Sequence, residues 1–190
     1  MPSIKPAIVI NNVEVEVKAM LSRPEKNEYA DYYANYIRKV PDGDLLNFME
    51  LQPDEFNGLI SDLTDDQATQ PSAPGKWSVK QVLGHISDSE RVFAYRALRF
   101  ARGDQKELQG FEQDEYVAAA NFNGRSTTEL LAELKSVRGA TLSLLESLTT
   151  EESERSGIAS GKPISVRALA YIIAGHAQHH LDLLRTQLAE

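Results

Sequence analysis

Four long stretches of this 190-residue chain repeat their apolar positions at intervals of three, four and seven, the pattern of amphipathic helices. The first covers about residues 43–63, where Leu45, Met49, Phe56, Leu59, Ile60 and Leu63 share a face. Pro53 falls inside it and predicts a kink or a split, because its ring removes one backbone donor. The second covers about residues 79–101, with Ser78 and Gln81 as a capping box and Trp77 and Val82 as a hydrophobic staple. The third, about residues 127–148, opens on another box made by Ser126 and Glu129. The fourth, about residues 166–188, is entered through Gly161-Lys-Pro163 with Ser165 as its N-cap.

Shorter signals fill the gaps. Ile8-Val-Ile and Val13-Glu-Val-Glu-Val17 flank Asn11-Asn12, which predicts a small hairpin or an arm near the N-terminus. A short helix is predicted near residues 112–120. The links at 64–78 and 149–165 carry the Pro, Gly, Ser and acidic residues of loops. The second and fourth helices begin alike, Trp-Ser-Val-Lys at 77–80 and Ile-Ser-Val-Arg at 164–167.

Composition narrows the class. A net charge of −8 argues against a nucleic-acid partner. With no cysteine there are no disulfides, thiolate ligands or cysteine nucleophile. No run of 18 apolar residues exists and no signal-peptide pattern opens the chain, so the expectation is a cytoplasmic protein that does not enter the membrane.

The candidate chemistry lies in the histidines. Three of the four stand in Gly175-His-Ala-Gln-His-His180, inside the most apolar stretch, and the fourth is His85 on the second helix. His176 and His180 are one turn apart, with Leu169, Ile172, Ile173 and Leu183 within about 60° of His176 on the helical wheel, so the pair faces inward. Side chains at i and i+4 converge closely enough to share one ion. His85 would add a third ligand, from a strip with Gln81, Ser89, Val92 and Arg96, and the heights match better if the second and fourth helices run antiparallel. His179 points about 100° away from its neighbour His180. It is expected beside the ligands or at an interface, although a His176–His179 pair at i,i+3 also fits the spacing. Without a Glu between the pair, a zinc-protease motif is absent.

Gly75-Lys-Trp-Ser-Val-Lys-Gln-Val-Leu-Gly-His85, Phe93-Ala-Tyr-Arg-Ala-Leu-Arg99, Gly110-Phe-Glu-Gln-Asp-Glu-Tyr116 and Ala174-Gly-His-Ala-Gln-His-His180, taken together and in this order, resemble the DinB/YfiT-like family over about residues 33–188. The resemblance implies an all-α, four-helix bundle with up-down-down-up connectivity. It places the bundle at residues 31–190; residues 1–30 have no counterpart in the family and stand as an N-terminal arm or small hairpin on their own pattern. It implies three metal-binding histidines at His85, His176 and His180. It also implies a homodimer and a metal-dependent activity of the thiol S-transferase or hydrolase type, the thiol being a small molecule such as bacillithiol or mycothiol.

Three imidazoles leave coordination positions open for water or a small-molecule substrate, and suit zinc, nickel, iron or copper. Asp88, one turn after His85, is a candidate base, and Arg96, on the His85 face, is a candidate partner for an anionic substrate. Both also have an ordinary reading, a solvated helix residue or an ion-pair partner, which exposed acidic and basic side chains more commonly take. Two other readings remain: a non-catalytic metal-stabilised bundle serving as a binding or stress-response module, and a dimerising bundle whose histidines only hydrogen-bond.

Overall fold

The computed structural model describes residues 21–189, together with two short strands nearer the N-terminus. Those strands, β1 (Val9–Ile10) and β2 (Val13–Glu14), pair antiparallel with Val9 opposite Glu14. Ile8, the expected turn at Asn11-Asn12 and residues 15–17 lie outside the described residues.

Among the described residues, eight α-helices follow in the order α1 (Ala34–Ile37), α2 (Leu45–Ile60), α3 (Asp65–Thr69), α4 (Val79–Ala101), α5 (Gln113–Ala119), α6 (Thr127–Glu146), α7 (Thr150–Glu154) and α8 (Val166–Ala189). The four long ones, α2, α4, α6 and α8, form the bundle. The capping boxes at Ser78 and Ser126 are made as the sequence predicts, and the Ser165 hydroxyl accepts from the Ala168 amide at 3.0 Å.

Side-chain pairs give the helix directions. Gln52 meets Ala174 and Glu55 meets Arg185, so α2 and α8 run parallel. Met49 meets Arg138 and Asp54 meets Lys135, so α2 and α6 are antiparallel. Trp77 lies at His180 and Phe93 at His176, which makes α4 and α8 antiparallel. Leu83 and Ile86 share a cluster with Leu130 and Leu134, while Phe93 and Ala97 share another with Leu145, so α4 and α6 run parallel. The bundle is therefore up-down-down-up.

Its core is two apolar clusters separated by a polar layer. Gln52, Glu90 and Arg138 are each at most 2% exposed, and each sits in sequence between a residue of one cluster and a residue of the other. Arg138 Nε and Nη2 donate to Glu90 at 2.9 and 2.8 Å, and its Nη1 reaches Gln52 Oε1 at 2.7 Å. Gln52 Nε2 in turn donates to the Ala174 carbonyl at 2.9 Å, so all four bundle helices are tied at this level.

That layer also explains Pro53. The expected split of the first helix does not occur: α2 is continuous from Leu45 to Ile60. Proline cannot donate to the carbonyl four residues back. Here that carbonyl, on Met49, accepts from Arg138 Nη1 at 2.6 Å, so the lost backbone bond is replaced.

The links hold more structure than loops. Thr64 and Thr149 each make a capping box that starts a short helix, α3 and α7. Residues 156–165, read as loop, form a hairpin of β3 (Ser156–Ala159) and β4 (Lys162–Ser165). Its turn residues Ser160 and Gly161 both have positive φ, 52° and 71°, as tight hairpin turns require. Leu108, in the link between α4 and α5, pairs with the hairpin through Ile158 and Ser160.

Candidate metal centre

Helix α4 supplies His85, between Leu83 and Ile86 of one apolar cluster, and α8 supplies His176 and His180, on either side of Ala177 of the same cluster. All three are at most 8% exposed. Gly175 makes room for a neighbour here: a methyl at that position would collide with the Tyr36 carbonyl, so only glycine lets the segment around α1 lie directly on α8. Tyr36 then packs edge-on against His176, with ring centroids 5.4 Å apart. Trp77, beyond its role as a staple, covers the other side, 4.6 Å from the His85 ring and 6.4 Å from that of His180. Phe93 borders His176 at 6.1 Å.

The three Nε2 atoms face one another. His176 Nε2 lies 3.0 Å from His85 Nε2 and 3.2 Å from His180 Nε2. An imidazole nitrogen holds either one proton or one lone pair, so His176 Nε2 satisfies one of these contacts by hydrogen bonding. A cation satisfies both. Ligand bonds of ~2.0–2.1 Å at tetrahedral angles need nitrogens about 3.3 Å apart, close to the spacing found. Burial also keeps the rings in the neutral, ligating form: it pushes His85 down to about 4, His180 down to about 3, and His176 well below the usual imidazole value. Their mutual proximity adds to the effect on His176 and His180. The donor set, its spacing and its protonation state thus fit a divalent transition metal.

The far nitrogens are less well served. Ser89 Oγ stands 3.4 Å from His85 Nδ1, a long contact, and His180 Nδ1 is buried with no hydrogen-bond partner among the described residues. A free buried donor costs about 1–3 kcal/mol, a cost tolerated where the ring is needed for something else.

Two cavities border the triad. One, of about 290 Å³, is lined by His176 with Tyr33, Tyr36, Phe93, Arg96 and Phe111. The other, of about 420 Å³, is lined by His180 with Trp77, Val82, Leu183 and Leu184. Asp114 of α5 lines both. A larger hollow of about 530 Å³ lies between the start of α2 and the end of α6; it includes none of the histidines, so the donor set rather than size marks the site.

His179 is half-buried against Tyr36 and lies outside the triad, which pairs His176 with His180. Leu183, expected on the inward face, is half exposed and forms part of a cavity wall. Asp88 lines neither cavity; it pairs with Arg91 at 3.1 Å, and Arg91 pairs onward with Glu133 of α6. Arg96 does line the cavity beside His176. Tyr33, Tyr36 and Asp114 were not singled out from sequence, because no periodicity marks residues that reach a site from short helices and links.

A four-helix bundle with a buried three-histidine cluster between antiparallel helices defines a class of metal-site bundles. The sequence profile of the DinB superfamily matches residues 49–184, and the chain belongs to that superfamily. A relative from Geobacillus thermodenitrificans, named "Putative metal-dependent hydrolase", is 26% identical over 132 residues, covering 67% of this chain and 73% of the relative. One of the same general name from Oceanobacillus iheyensis is 24% identical, covering 76% of this chain and 83% of the relative. Among solved structures, YfiT from Bacillus subtilis, titled "a probable metal-dependent hydrolase with an unusual four-helix bundle topology", superposes with a TM-score of 0.68 at 18% identity. That match covers 88% of this chain and 94% of YfiT, and it establishes the shared fold.

Proposed function

We propose that this chain is a metal-dependent hydrolase, with His85, His176 and His180 holding the ion and its substrate entering from the cavities beside them. The observation that carries the reading is His176 Nε2, which faces two other ring nitrogens at hydrogen-bond distance and can bond only one. The names of the superfamily relatives agree with it. Zinc and nickel suit the nitrogen set best, and iron also fits. Once bound, such an ion supplies Lewis acidity, polarising an acceptor bond and lowering the pKa of a water or thiol beside it.

The protein's own groups do the rest. Trp77, Tyr36 and Phe93 exclude bulk water around the imidazoles and fix their planes. Asp114, lining both cavities, takes the proton-accepting role that sequence position suggested for Asp88. The second cavity favours a variant of this reading in which two reactants meet, a small thiol on the Trp77 side and its acceptor on the Tyr36 side. Thiol S-transfer is then the second activity to test, and the homodimer expected from the family resemblance belongs to this same proposal.

A screen of ester, amide and thiol-transfer substrates with the metal-loaded protein tests the proposal. Turnover that disappears in His176→Ala and falls by about tenfold to a thousandfold in Asp114→Asn is expected, the range of a general base. Absence of any turnover with the metal bound would instead favour a metal-stabilised binding module.

A further inference from the structure

Arg96 is 2% exposed, yet no carboxylate pairs with it among the described residues. Its Nη2 donates to two neutral acceptors, the Gln109 carbonyl at 2.8 Å and the Ser160 hydroxyl at 3.2 Å. Its guanidinium carbon lies 5.9 Å from the centroid of Phe93, and the Tyr33 hydroxyl faces it. A buried guanidinium ordinarily has a counter-ion, because an uncompensated charge away from water is costly. The contrast within this chain is direct: Arg138, equally buried, has Glu90.

The fold holds Arg96 in this state deliberately. The link after α4 and the β3–β4 hairpin meet around Leu108, which brings the Gln109 carbonyl and Ser160 together over the arginine. Ser160 does so from a left-handed backbone conformation, φ 52°, which a non-glycine residue adopts at a cost of about 1 kcal/mol. The guanidinium is thereby fixed as a wall of the 290 Å³ cavity whose other wall is His176. Between them the lining is aromatic: Tyr33, Tyr36, Phe93 and Phe111. The other charged groups at this cavity are Glu112 and Asp114, both exposed at its rim, and they disfavour a doubly charged ligand.

We propose that Arg96 anchors a carboxylate, so that the substrate of this site is a small monocarboxylic acid with an apolar or aromatic body. The missing counter-ion is the substrate's own. The fork of the guanidinium takes the carboxylate, the aromatic walls take the body, and the far end lies toward His176. This rests on the reading of the histidine cavity as the substrate site, and it names the substrate class.

The test is fluorine NMR of the full-length protein, as purified, titrated with 4-fluorobenzoate and with its neutral amide, 4-fluorobenzamide. The acid is expected to bind saturably and about tenfold or more tighter than the amide. Arg96→Met should abolish that preference, and Arg96→Lys should restore part of it. Equal binding of acid and amide by the unaltered protein, a comparison that needs no variant to fold, overturns the proposal. So does an acid preference that survives in Arg96→Met, which would mean coordination to the metal instead. Displacement by inorganic phosphate at lower concentration than benzoate would overturn the carboxylate assignment. Metal content of the same sample separates the two readings: acid preference without metal leaves the anchor and removes the proposed function, and metal without acid preference does the reverse.

Discussion

At the scale of single residues, the site is built as much by what is left out as by what is present. Gly175 has no side chain because the Tyr36 backbone occupies that space. Gly175→Ala is therefore expected to push the α1 segment off α8 and lower stability by about 1–3 kcal/mol, the usual cost of overpacking, with Tyr36 leaving His176. Thermal unfolding beside the near-ultraviolet tyrosine signal checks this; an unchanged melting temperature would contradict it. The histidines were legible in sequence because inward-facing imidazoles on apolar helices are conspicuous. Arg96 was legible because it follows His85 by about three turns. Asp88 was misleading for a local reason: Arg91, three residues on, draws it to the α6 face, and sequence does not show that Glu133 waits there to hold Arg91. The covering role of Trp77 was hidden behind its ordinary position as a staple.

At the scale of elements, the long helices could be read from their periodicity and their capping boxes, and their observed bounds agree to within a few residues. What escaped was short or depended on tertiary partners. The β3–β4 hairpin has four residues per strand, too few to show alternation, and only Ser160-Gly161 marked its turn. Pro53 was expected to kink or split α2; the helix is not split, and the carbonyl left without its donor is served by Arg138 on another helix, which no local pattern reveals. Arg138 consequently carries two duties, neutralising Glu90 and capping Met49. Arg138→Leu should cost about 3–5 kcal/mol, since it strands a buried carboxylate. Replacing both members, Arg138→Leu with Glu90→Leu, should recover much of that loss, though less than all of it, because the Met49 carbonyl stays unpaired. Chemical denaturation of the single and double variants measures both; a double variant no more stable than the single would refute the ion-pair account.

At the scale of the whole molecule, a polar layer separates two apolar clusters, and the metal centre lies to one side of it: His85 and His180 sit among residues of one cluster, with His176 at its border. No helix among the described residues is long and apolar enough to cross a membrane. The segment ahead of α1 is fastened to the first turn of α8, where Glu28 accepts from Ser165 at 2.6 Å and from Arg167 Nε at 2.8 Å. Burial alone would raise the Glu28 carboxyl, but the hydrogen bonds from Arg167 and Ser165 outweigh it and hold the group down to about 2. A depressed carboxylate stabilises the fold above its unfolded value near 4.5, and that contribution is lost as the pH falls toward 2. Glu28→Gln should thus be less stable at neutral pH and lose less on acidification over that window. A parallel acid profile for the two proteins would remove Glu28 from the account.

Three buried imidazoles facing one another are built to hold one metal ion, which the metal content of untagged protein by mass spectrometry, alongside His180→Ala, measures directly. Close to one equivalent of zinc, nickel or iron is expected in the unaltered chain, lost when His180 is removed while the helical content is kept. An unaltered chain that takes up no metal even after reconstitution with each of these ions, or a His180→Ala chain that retains a full equivalent, would contradict it.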